Sequence, residues 1–74
     1  MNKSEIRNHA NTIWLLLADK GALNICEIGE LTNYKEGFIF LALGWLAKEN
    51  KIRFFEQKEI PFVELNVDTF PVNL

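Results

Sequence analysis

The chain has 74 residues, enough for one domain but not for a second core. Its 49% hydrophobic and 12% aromatic content excludes intrinsic disorder, and for so small a chain implies apolar surface left over for a partner. A net charge of −2, with eight Lys and Arg interleaved among ten Asp and Glu, argues against a dedicated nucleic-acid domain, which shows a basic excess or stripe.

Ile6, Ala10, Ile13 and Leu17 recur at helical spacing, with Trp14 and Leu16 widening the stripe, and predict a first helix over Ser4–Lys20. Ser4 is placed to cap its start and Gly21 to stop it. Ala22–Asn24 reads as a short extended bridge. A second helix is predicted over Ile25–Thr32, with Asn24 as N-cap and Glu27 in the capping-box position three residues on. Ile28 and Leu31 give it a narrow apolar side. Asn33 tolerates a left-handed turn, and the third helix is predicted over Lys35–Glu49, ended by Asn50 much as glycine ends helices.

The period then falls to two. Lys51–Gln57 and Ile60–Val67 read as strands joined around Lys58–Glu59 by a loop of two or four residues. Either loop places Ile52 opposite Leu65, Arg53 opposite Glu64, Phe54 opposite Val63 and Phe55 opposite Phe62. Ile52, Phe54, Val63 and Leu65 are assigned to the core face, Phe55 and Phe62 to the opposite one beside an Arg53–Glu64 ion pair. Pro61 lacks a backbone donor and suits an edge strand. The tail is apolar at Phe70, Val72 and Leu74, and reads as packing on the body or on a second subunit.

Helix, helix, turn, helix, hairpin is the order of a winged helix-turn-helix, an α+β fold that is mostly α. The reading assigns residues 1–67 to this domain and 68–74 to the apolar C-terminal tail. Gly29 falls where two helices cross, Asn33 at the turn, and Ile39 with Leu43 against the first helix.

In this architecture the third helix enters the major groove and its outward side chains read base edges. The predicted outward positions are Glu36, Gly37, Phe38, Phe40, Leu41 and Gly44. None is Arg, Lys, Asn, Gln, Ser or Thr, the main types that direct readout uses. Phe38, Leu41 and Trp45 continue the core stripe of Ile39, Ala42, Leu43 and Leu46, giving an apolar arc of roughly 200°. Two readings account for it. The extra apolar residues fill the core on the hairpin and tail side, or they form a protein interface of Phe38, Leu41 and Trp45, joined by Phe40 and the Phe55–Phe62 pair. Lys35, Lys51, Arg53 and Lys58 are the candidate DNA phosphate contacts, with Glu56, Glu59 and Glu64 among them.

No other chemistry stands out. His9, the only histidine, sits beside the core stripe of the first helix and reads as structural. Cys26, the only cysteine, rules out an intramolecular disulfide and a cysteine-based metal cage and reads as a small core residue. Glu27 is a cap rather than an acid or base, and Trp14 is core. The carboxylates form no paired-acid motif and no glycine-rich phosphate loop is present. An enzyme, a metal, a cofactor and a small-molecule ligand are therefore not expected. The apolar run Phe38–Ala47 is about half the roughly 20 residues of a membrane span, and no signal peptide is visible, so the expected location is the cytoplasm.

The run Ala42-Leu43-Gly44-Trp45-Leu46-Ala47-Lys48-Glu49-Asn50-Lys51-Ile52 resembles a hallmark stretch of a family of short, stand-alone bacterial winged-helix proteins. Ile6, Ala10, Trp14, Gly21 and Glu27 fit the same spacing. The resemblance covers nearly the whole chain and implies the winged-helix fold, homodimers and a kinship with transcription regulators. Lys35 stands where a Ser or Thr cap is usual, and Phe40 and Leu41 where polar readers are usual. Two functions follow as expectations. One is a homodimeric interaction or adaptor module whose third helix serves packing or association. The other is a small DNA-binding regulator that works through the wing or an atypical face of that helix.

Overall fold

A computed structural model of the chain describes residues 2–66. The elements run α1 (Lys3–Lys20), β1 (Leu23–Asn24), α2 (Ile25–Thr32), α3 (Glu36–Lys48), β2 (Ile52–Gln57) and β3 (Ile60–Leu65). The tail assigned to 68–74, and the last domain residue, Val67, lie outside the described residues.

α1 begins one residue before the expected position. Asn2, not Ser4, is its cap: the Asn2 side-chain Oδ1 accepts from the Glu5 backbone N–H at 2.9 Å. Ser4 therefore lies inside the first turn. Gly21 ends the helix with φ 84°, a conformation suited to glycine, and donates to the Leu17 carbonyl at 2.9 Å.

α2 forms over the expected residues. Asn24 Oδ1 accepts from the Glu27 N–H at 2.8 Å, and Glu27 Oε1 accepts from the Asn24 N–H at 2.9 Å, a complete capping box. Asn33 adopts the left-handed conformation (φ 62°) and donates to the Gly29 carbonyl. The Thr32 hydroxyl donates to the Ile28 carbonyl at 2.7 Å and accepts from the Tyr34 N–H, which fixes the turn into α3. Gly29 does pack against Ile39, but with room to spare. An added Cβ would stand 3.6 Å from Ile39 Cδ1, an ordinary contact.

α3 starts after Lys35, whose extended backbone holds the cap position without a side-chain hydrogen bond. It ends in a Schellman arrangement. Asn50 (φ 59°) donates to the Ala47 carbonyl, and the Lys51 N–H reaches back to the Leu46 carbonyl at 3.0 Å.

The hairpin has the expected register, from Ile52 opposite Leu65 to Gln57 opposite Ile60. Its loop is the two-residue form, with Lys58 (φ 52°) and Glu59 (φ 65°) both left-handed. Hairpin turns of this type favour Asn-Gly, so these side chains hold the turn at a cost of about 1 kcal/mol each. β1 adds to β3 through Leu23 opposite Val63, giving the order β1-β3-β2. Pro61 thus sits in the central strand, yet β1 ends at Phe62 and leaves Pro61 a local edge.

The core gathers Ala10, Ile13 and Leu17 of α1, Ile28 of α2, the α3 stripe Ile39, Ala42, Leu43 and Leu46, and Leu23, Ile52, Val63 and Leu65 of the sheet. Two assignments need correcting. Phe54 lies on the core-facing side of β2 but is 56% exposed, because α3 presents Gly44 and Ala47 beside it, side chains too small to cover a ring. Cys26 is exposed rather than buried, because the short α2 turns only Ile28 fully inward.

Candidate interaction surface

Around α3 the side chains divide by their angle from the buried stripe, at about 100° per residue. On the α1 flank, Phe38 stacks near His9 with ring centroids 6.1 Å apart, and His9 packs on Tyr34 at 4.3 Å. His9 is half-buried and its Nδ1 is enclosed, which suits a structural residue. Trp45, further along this flank, is partly buried against the core, with the Lys48 ammonium 5.9 Å from its ring centroid.

Furthest from the core stand Gly37, Leu41, Gly44 and Lys48. Leu41 is 50% exposed, and a Cβ added at either glycine would meet nothing within 4 Å. On the hairpin flank Phe40 is 53% exposed. Phe40, Leu43, Gly44 and Ala47 form one wall of a groove of about 400 Å³, and Phe54, Pro61 and Val63 form the other, with Ile25 between them. Among the described residues, no ionisable side chain lines it. The groove runs between the helix and the wing, the two elements that straddle DNA in nucleic-acid-binding versions of this architecture.

The expected interface residues thus fall in three places. Phe38 and Trp45 occupy the α1 flank, Leu41 the crest, and Phe40 the groove. Phe55 and Phe62 stack at 5.5 Å on the outer face of the sheet, beside the Arg53–Glu64 ion pair at 2.8 Å. The groove adds Phe54, Ile25, Ala47 and Pro61, which sequence reasoning missed. The usable signal was the pair of small residues, Gly44 and Ala47, on the α3 face nearest the hairpin.

The candidate phosphate contacts are dispersed and two are already engaged. Lys51 lies 4.4 Å from the Trp14 ring centroid and 3.5 Å from Glu49, and Arg53 is held by Glu64. Lys35 stands at the start of α3 and Lys58 at the wing tip, neither ion-paired among the described residues. No cluster of metal-ligating side chains occurs among the described residues, and no described helix is long and apolar enough to cross a membrane.

Three helices, a turn fixed by Asn33 and a terminal hairpin define a winged helix-turn-helix protein. Residues 1–65 match the family described as Winged helix-turn-helix domain (DUF2582), and the chain belongs to that family. Among solved structures it is similar to protein BT2368 from Bacteroides thetaiotaomicron, at 25% identity and a TM-score of 0.83, covering 100% of this chain and 92% of that one. It is also similar to ZitR of Lactococcus lactis, at 17% identity and a TM-score of 0.81, covering 92% of this chain but only 53% of that one. The second likeness speaks for the fold alone. A search of curated proteins finds no match.

Proposed function

We propose that this chain is a homodimeric winged-helix association module, acting in the cytoplasm, whose third helix and wing dock protein instead of reading base edges. The observation that carries this reading is the groove between α3 and the wing, where Phe40, Gly44 and Ala47 face Phe54 and Pro61. Base edges present hydrogen-bond donors and acceptors, and an apolar wall leaves those groups unpaired. Exposed aromatic rings flanked by glycine, by contrast, are the anchors of protein interfaces. Closed two-fold dimers are the commonest soluble assembly. The kinship with transcription regulators rests on fold analogy.

The test is sedimentation of the wild type and of Phe40→Asp across a micromolar dilution series. The wild type sediments as a dimer at high concentration and the variant as a monomer, and a wild type that stays monomeric overturns the reading.

A second reading, a DNA-binding regulator working through the wing, is favoured by Lys35 and Lys58. Each phosphate neutralised adds about 0.9 to the salt slope, so so few contacts give weak, salt-sensitive binding. A salt-resistant, sequence-selective complex with duplex DNA would establish this second reading in place of the first.

A further inference from the structure

We propose that two copies of this chain join through the free edge of β2, paired antiparallel about Phe54, to form one continuous six-stranded sheet; this rests on the homodimer reading above. The two edges of the sheet differ. β1 is two residues long, and so short an edge offers little to pair with. β2 is six residues long and contains no proline, and among the described residues no strand pairs with its outer edge.

The backbone fixes which groups that edge offers. Asn66 donates to the Lys51 carbonyl at 2.9 Å while the Lys51 N–H goes to the Leu46 carbonyl, so the single bond sets Lys51 and Asn66 at a hydrogen-bonded position one step before Ile52 and Leu65. Such pairs alternate along an antiparallel ladder, so Arg53, Phe55 and Gln57 also turn their backbone groups toward β3. Ile52, Phe54 and Glu56 turn theirs outward, to the free edge.

Two identical antiparallel strands related by a two-fold axis keep the same face of the sheet, so residues opposite each other have the same parity. Centring the axis on Phe54 pairs Ile52 with Glu56, Phe54 with Phe54 and Glu56 with Ile52 across the two copies. All outward groups are then used, for roughly six backbone hydrogen bonds. The other registers are worse. A shift of the axis to Arg53 stacks two arginines, one to Glu56 opposes two carboxylates, and one to Phe55 leaves Ile52 unpaired within the strand, so that about four backbone bonds form instead of six. With Phe54 at the centre no like charges face each other, and Arg53 lies opposite the partner's Phe55, where a guanidinium finds the face of a ring. The axis also joins the two Phe54 rings, each 56% exposed in the single chain, beside both apolar grooves.

The test is amide hydrogen exchange by NMR on the full chain, measured at low and high concentration with sedimentation on the same samples. In the dimer the Phe54 and Glu56 amides exchange roughly tenfold or more slowly than in the diluted monomer. Glu56→Pro, which removes an edge donor and leaves the β2–β3 ladder intact, shifts the equilibrium to monomer. A dimer whose Phe54 and Glu56 amides stay unprotected overturns the edge pairing and leaves the association reading standing. A chain that stays monomeric overturns both. Protection that does not change with dilution shows the edge is covered from within the chain, and overturns the pairing.

Discussion

α2 and α3 are neighbours across a single turn, yet they are held by opposite means. α2 is eight residues long and carries its instructions locally: a reciprocal cap at Asn24 and Glu27, a hydroxyl bridge at Thr32 and a left-handed stop at Asn33. Only Ile28 of its residues is fully buried. α3 is longer and has no side-chain cap at its start, but it contributes four buried residues to the core. The short helix is specified by its ends and the long one by its packing. A helix specified by packing is free to carry any side chain on its outer face, and α3 uses that freedom for phenylalanine and leucine instead of polar readers.

The largest expected effect comes from breaking the packed side of this contrast. Leu46→Ala removes a fully buried side chain, and should lower unfolding free energy by about 2–5 kcal/mol in urea denaturation. Next is the capped side. Asn24→Ala opens the capping box of α2 and should cost about 1 kcal/mol, read from the same denaturation midpoint. The converse change sharpens the comparison: Lys35→Asp gives α3 the side-chain cap it lacks. Its extended backbone (φ −70°, ψ 151°) already suits a cap, so the variant should gain about 0.5–1 kcal/mol. An equally large gain from a better cap on α2 would break the contrast, since that end is already satisfied. The smallest effect belongs to the outer face. Leu41→Ser should change monomer stability by no more than about 0.5 kcal/mol, read from the same denaturation midpoint.

Most of the fold was legible because its signals are local. The α2 capping box, the Asn33 turn and the hairpin register each depend on residues close in sequence, and each formed where expected. The cap of α1 was misplaced by two residues because Asn2 and Ser4 are both competent caps, and only the helix start decides between them. Phe54 and Cys26 were misassigned for a different reason. Strand alternation gives the face a side chain occupies but not how far the opposing helix extends over it, and the small Gly44 and Ala47 set that limit. The candidate surface was legible in kind but not in shape. The sequence showed that α3 had too much apolar surface, whereas the groove with the wing needed Phe40 and Phe54 brought together from two elements.

The central claim, that the outer face of α3 and the wing associate instead of reading bases, is tested most directly by backbone chemical shifts of the wild type across a dilution series. Concentration-dependent shifts are expected at Phe40, Gly44 and Phe54, while Leu15 of α1 and Leu31 of α2, exposed to a similar degree on other elements, stay unchanged. Shifts that stay constant on dilution, or that move at Leu15 and Leu31 instead, would contradict the claim.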